Sequence, residues 1–172
     1  MFLIGKGSTV MVIDNLLKFR THDFGILCFG GVTNVNLVYA GSGHNLCVGD
    51  PASEKTPADK EKVPGFLSGA YHAFAGAVEI EWNARDGTRL SHSVDLNEVF
   101  PDKVIPGDYD STRIYEKKPV TGGEPTVIVE VDDRTVNVYL YAEIQLVRDG
   151  QPDKAREGVS SYTQAYSMTF PK

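Results

Sequence analysis

The sequence predicts an all-β, mainly antiparallel fold: a single-domain β-sandwich or strongly twisted sheet of about eight to ten strands with little helix. Three observations carry this expectation. Apolar and polar residues alternate along two arms between Thr126 and Val147. Seventeen glycines and nine prolines punctuate short β-rich runs, which favours turns over long helices. A length of 172 residues, with a hydrophobic fraction of 41% and a charged fraction of 23%, suits one core and one domain spanning 1–172.

The stretch from Thr126 to Val147 is the clearest element. On its first arm Val127, Val129 and Val131 alternate with Thr126, Ile128 and Glu130. On its second, Val136, Val138, Leu140, Ala142, Ile144 and Leu146 alternate with Asn137, Tyr139, Tyr141, Glu143 and Gln145. Successive strand side chains point to opposite sides, so this hairpin is expected to bury one face and leave the other half wet. Asp132, Asp133 and Arg134 supply the polar turn.

In chain order, Thr9 to Ile13 reads as a short strand, and Asn15 to Phe19 as its extension or a turn. Phe24 to Phe29 reads as a strand, Gly30 and Gly31 as a turn, and Asn34 to Tyr39 as the return arm. Gly41 to Gly43 leads into Asn45 to Val48, which completes an expected meander. Residues 50–65 scatter three prolines among charged side chains and predict an exposed loop, with one helical turn around Ala58 to Lys62. Ala77 to Asn83 and Thr88 to Leu96 form a second hairpin around Arg85, Asp86 and Gly87, with Val78, Ile80 and Trp82 on one face. Asp95 is placed to cap a short helical turn that Pro101 stops. Further exposed connections are expected at 106–125, with one short strand at Thr112 to Tyr115, and at 148–159. Ser161 to Phe170 closes the chain as an edge strand with Tyr162, Tyr166, Met168 and Phe170 on a common face. No internal repeat or low-complexity run is visible.

A formal net charge of −6 and a pI near 5.2 argue against sequence-independent nucleic-acid binding, which needs Lys and Arg on phosphates. They suit a basic protein partner instead. Lys6 and Asp14 interrupt the apolar start of the chain, so no export signal is expected, and a native N-terminus favours the cytoplasm. Residues 24–49 carry no Asp, Glu, Lys or Arg, but their glycines and asparagines break up any continuous apolar helix. No membrane span is expected.

Several residue sets invite a chemical reading. In a meander, Cys28 and Cys47 lie two strands apart, about 9.6 Å at about 4.8 Å per strand. A disulfide needs Cα atoms closer than about 7 Å, so buried free thiols are expected. His22, Cys28, His44 and Cys47 are residue types zinc prefers, but they lack two tight ligand pairs, and no metal is expected. His92, between Leu90 and Val94, reads as a hydrogen-bonded core histidine. Gly5, Lys6, Gly7, Ser8 and Thr9 are out of order for a phosphate loop, and no Gly-x-Ser-x-Gly elbow is present. Asp108 with Asp110, and Asp132 with Asp133, lack the glycine and distal glutamate of a calcium loop. Glu79 and Glu81 lie on the exposed side of a strand, without the cleft that acid–base catalysis requires. Tyr139 and Tyr141, with Asn137 and Gln145, form an aromatic and amide stripe that can pack on a neighbour or anchor a partner.

Two segments carry a resemblance: Glu81-Trp82 with Asp86-Gly87-Thr88 and Val94-Asp95-Leu96, and the run from Ile128 to Tyr139. Together they resemble small accessory proteins found beside bacterial type VI secretion effectors, some of which are immunity proteins. Neither segment is a catalytic motif, so no functional residue is carried over. The resemblance implies a non-enzymatic domain that binds a protein partner, most concretely by covering the active site of a cognate bacterial toxin. Tyr139, Tyr141, Asn137, Asp108 and Asp110 are the expected partner contacts, and no cofactor is expected. The alternatives are a structural subunit of a phage or secretion assembly that self-associates through strand edges, and a small hydrolase.

Overall fold

The computed structural model describes residues 16–150 and 156–172. The expected strand at Thr9 to Ile13 and the glycine-rich stretch before it lie outside the described residues. Among the described residues, nine strands form two mostly antiparallel sheets that pack together. In order these are β1 (Thr21–Phe29), β2 (Thr33–Tyr39), β3 (Ser42–Leu46), β4 (Ser68–His72), β5 (Val78–Asn83), β6 (Arg89–Val94), β7 (Thr126–Asp132), β8 (Thr135–Val147) and β9 (Arg156–Thr169). One sheet runs β4-β1-β7-β8-β9 and the other β3-β2-β5-β6. β1 and β7 are parallel; the other strand pairs are antiparallel.

The core lies between the sheets. Val127, Val129 and Val131 of β7 and Val136, Val138 and Leu140 of β8 meet Leu37, Tyr39, Val78, Ile80 and Trp82 from the opposite sheet. The hairpin from Thr126 to Val147 forms as its alternation predicts, with Asp133 in the left-handed region at φ 48°. Its second face is drier than expected, since residues 126–131 are all buried. The segment 50–65 explains this: most of its residues face solvent, yet it crosses the outer face of the sheet and is tied down there. Gly30 N–H donates to the Ser53 carbonyl at 3.0 Å, and the Tyr162 hydroxyl donates to the Lys62 carbonyl at 2.8 Å. A 3-10 turn at Pro57–Asp59 replaces the expected helical turn.

The expected meander does not form. β1 and β2 belong to different sheets, because the Gly30–Gly31 turn, with both residues at positive φ, carries the chain across the sandwich. That crossing puts inward-facing rings of consecutive strands face to face, with Phe24 stacked on Tyr39 at 4.8 Å. β8 outlasts its partner β7, and its far end is paired instead by residues 114–121, through bridges Ile114 to Leu146 and Val120 to Ile144. The expected strand at Thr112 to Tyr115 is therefore a 3-10 turn, Ser111–Arg113, followed by a single bridge.

β9 starts at Arg156, inside the expected loop, and pairs with β8 to its end. Val138 pairs with Tyr166 while the adjacent Tyr139 pairs with Gln164, so Ala165 is an extra residue in a bulge. The bulge resets the alternation. Tyr162 lies on the outer face beside Tyr139 and Tyr141, whereas Tyr166 packs into the core, stacked on His92. β5, β6 and the one-turn helix Leu96–Val99, capped by the Asp95 side chain, match expectation. No helix among the described residues is long and apolar enough to cross a membrane.

Candidate functional site

A groove lies where the two sheets part company at one side. β3 ends its sheet and pairs only with β2, and β4 covers β1 only at Thr21, His22 and Phe24. Between these two strand edges runs a groove of about 720 Å³, lined by residues 24–27, 42–46 and 64–66 with Ser68 and Tyr71. Gly25 allows the wall to close, because a Cβ there would sit 2.7 Å from Pro64 Cγ and 2.8 Å from Leu67 Cδ2. Phe66 stands at the mouth with 75% of its surface exposed, beside the 37% exposed Leu67.

An aromatic cluster forms the floor. Phe24 meets Tyr39 at 4.8 Å and Tyr71 at 6.3 Å, and Tyr39 meets Tyr71 at 5.1 Å between ring centroids. Behind it His22 is fully buried. Its Nδ1–H donates to the Asp23 carbonyl at 2.9 Å, and its Nε2 accepts the Tyr39 hydroxyl at 2.8 Å. That pattern fits a neutral ring, and burial holds its pKa below the usual histidine value. His44 lies against Phe24 at 6.0 Å, and its Nε2 is buried without a hydrogen-bond partner. Among the described residues no carboxylate, amine or thiol belongs to the lining. The groove offers apolar surface, backbone edges, hydroxyls, one amide and one imidazole.

The residues expected to contact a partner do not converge. Asn137 and Tyr139 are buried, at 9% and 7% exposure, on the outer face of the five-stranded sheet. There they donate to Glu130 Oε1 at 3.0 and 3.3 Å, while Lys55 Nζ holds both Glu130 oxygens at 2.9 and 2.8 Å. Burial, with the Glu130 carboxylate adding to it, raises the Tyr139 and Tyr162 phenols above their usual value. Tyr141 is half-buried against Tyr162 at 6.0 Å. Asp108 and Asp110 are exposed in the separate 106–125 connection, where Asp110 caps the 3-10 turn through Thr112 N–H.

Other sequence candidates have structural partners. His92 Nε2 bonds the Tyr166 hydroxyl at 2.7 Å, Glu79 accepts from Ser93, and Glu81 pairs with Arg89. Cys28 and Cys47 are free and half-buried, and they stand on different sheets because the expected meander is absent. Among the described residues no three His, Cys, Asp or Glu side chains converge on a metal-sized site. The groove residues Phe24, His44, Phe66 and Tyr71 were not grouped by sequence reasoning. Phe66-Leu67, two large apolar residues directly after Pro64-Gly65, are the local signal for them. Comparisons with protein-family models, with curated proteins and with solved structures find no match to this chain.

Proposed function

We propose that this chain is a non-enzymatic protein-binding domain whose groove takes an extended segment of its partner. The observation that carries the reading is the pairing of a free strand edge, β3, with an apolar cavity along its whole length. A peptide added to such an edge gains main-chain hydrogen bonds, and alternate side chains fall into the pocket, which supplies specificity. Phe66 and Leu67 give the mouth exposed apolar area suited to an interface core. The partner class implied by the resemblance is a toxin of the kind that accompanies type VI secretion effectors, and a net charge of −6 favours a basic one.

The test is selection of a phage-displayed random peptide library on the purified protein, followed by amide shift mapping with the enriched peptide. Enrichment of extended, apolar sequences that shift residues 42–46 and 64–68, and that lose binding in Phe66→Asp, supports the reading. No enrichment, or shifts confined to other surfaces, overturns it.

A second reading, self-association as an assembly subunit, is favoured by β9. This 14-residue strand ends its sheet and carries no proline or lysine to blunt its free edge. Sedimentation over a range of protein concentrations decides it, a monomer throughout ruling it out.

A further inference from the structure

Three strands build a cradle around Glu130 on the outer face of the five-stranded sheet. Glu130 of β7 stands opposite Asn137 of β8 and beside Leu27 of β1. Phe29 lies one outward-facing position further along β1, and Tyr139 one such position further along β8, which runs the opposite way. Their rings therefore flank the carboxylate on opposite diagonals, within the reach of aromatic side chains on one sheet face. Asn137 Nδ2 and the Tyr139 hydroxyl donate to Glu130 Oε1, and Gln164 of β9 donates to Asn137 Oδ1 at 3.3 Å. The sheet itself holds the cradle in shape.

The group that fills it is an ammonium. Besides its two bonds to Glu130, Lys55 Nζ lies 5.7 Å from the ring centre of Phe29, 5.6 Å from that of Tyr139 and 3.5 Å from the Tyr139 hydroxyl. A cation held on a carboxylate and beside aromatic faces is the arrangement that recognises ammonium ligands. Lys55 comes from the segment 50–65, and little else of that segment presses on the face. From 53 to 62 every residue but Lys55 and Asp59 is exposed, and Asp59 turns back to Thr56 and Lys62 within the segment. Backbone tethers lie only at the ends, through the carbonyls of Ala52 and Ser53 and that of Lys62. Lys62 Nζ also lies 5.5 Å from the Phe29 ring centre. Between its tethers the segment thus grips the face through ammonium groups rather than apolar packing. Well-packed apolar side chains often stabilise a purely structural contact as well as a buried ion pair does, or better, so the chemistry of the cradle points to recognition.

We propose that the Glu130 cradle is a lysine-recognition site, filled within the chain by Lys55, and that a lysine side chain of a basic partner takes it by exchange with Lys55. This goes beyond the reading of the groove and does not depend on it. The exchange replaces one ammonium–carboxylate contact by another, so Glu130 is never left without a cation, the state that a buried carboxylate cannot bear cheaply. Lys55 is partly exposed, which gives an incoming side chain a path to the cradle, and a net charge of −6 draws a basic partner towards it.

The test has two arms. In Lys55→Ala, n-butylammonium chloride, which carries the end of a lysine side chain, should raise the melting temperature by several degrees in a saturable way and shift the Asn137 side-chain amide. Sodium chloride at equal ionic strength and n-butanol should do neither, and Lys55→Ala with Glu130→Gln should not respond. In the unaltered protein, prepared with 13C-labelled lysine, unlabelled pentalysine should move the Lys55 ε-methylene signal towards that of exposed lysines, as Glu130→Gln does without any peptide. Three results overturn the proposal: a response to butylammonium no larger than that to salt, a response that survives Glu130→Gln, or a Lys55 signal that millimolar pentalysine leaves in place. If Lys55→Ala does not fold, the pentalysine arm decides alone.

Discussion

Lys55 reaches from the proline-rich segment 50–65 to the centre of the five-stranded sheet, where its Nζ lies 2.9 and 2.8 Å from the two oxygens of Glu130. Glu130 is 1% exposed and Lys55 25%, so a single lysine neutralises a carboxylate that β7 places out of reach of water. Burial opposes the lysine charge, but the Glu130 carboxylate outweighs it and holds the Lys55 pKa above its usual value. Removing one member of a buried pair leaves the other charge uncompensated. Lys55→Met is therefore expected to lower unfolding free energy by about 2–4 kcal/mol in urea titrations. Adding Glu130→Gln, which keeps acceptors for Asn137 and Tyr139, should recover a large part of that loss. A double variant no more stable than Lys55→Met would show that the lysine acts by packing alone.

The tips of the two hairpins are bolted together at one end of the sandwich. Arg134 donates to Asp86 at 2.7 Å, to Thr88 Oγ1 at 3.0 Å and to the Pro171 carbonyl at 2.7 Å, while Trp82 Nε1 donates to the Asp133 carbonyl at 2.7 Å. Hydrogen bonds from Arg134 and then Thr88 hold the Asp86 carboxyl well below the usual carboxylate range. A carboxyl depressed in the folded state contributes stability above its unfolded value, and that contribution is lost as pH falls through the folded value. In Arg134→Gln, Asp86 should titrate higher than in the parent by NMR, yet still below the usual carboxylate range, because the bonds from Thr88 remain. Stability should then fall less steeply with acid than in the parent protein. An unchanged Asp86 titration would show that Thr88, not Arg134, sets it.

Where one alternating pattern governed a whole element, the sequence was legible. Val78, Ile80 and Trp82 face the core as their spacing predicts, and Asp95 caps the helix it precedes. Legibility failed where a feature depends on contacts distant in sequence. Nothing in Gly30-Gly31 distinguishes a hairpin from a crossing between sheets, so the placing of β1 and β2 in different sheets was hidden. Ala165 breaks the alternation of β9 through its register with β8, which a single strand's pattern does not reveal. β4, Ser68–His72, is built largely from small and polar residues and lacks an apolar period, so the groove it helps to close had no strand to announce it.

Gly25 tests how closely that groove is fitted. The missing Cβ leaves room for the ring of Pro64, which cannot rotate away, and for Leu67. Gly25→Ala should displace the 64–67 segment and lower stability by about 1–3 kcal/mol, the usual range for overpacking. Amide shifts should change most at 64–68 and least at the Arg134 end. Stability and shifts equal to the parent's would mean that the wall moves freely.

His22 and Tyr39 set the protein's response to mild acid. The ring is fully buried, held neutral first by burial, with its nitrogens bonded to the Asp23 carbonyl and the Tyr39 hydroxyl. A histidine whose folded pKa lies below its unfolded value takes up a proton more readily when unfolded. Its stabilising contribution is thus complete above about pH 6.5 and declines as pH falls. For one such group the decline approaches about 1.4 kcal/mol per pH unit between the unfolded and folded values. His92 is lowered by burial as well, so the parent carries two contributions of this sign. His22→Gln should remove one of them and flatten the pH dependence of unfolding free energy between pH 6.5 and 5, whatever its cost at pH 7. Tyr39→Phe leaves His22 Nε2 without its donor and should cost about 1–3 kcal/mol at pH 7. If the slope in His22→Gln equals that of the parent, another group sets the acid response.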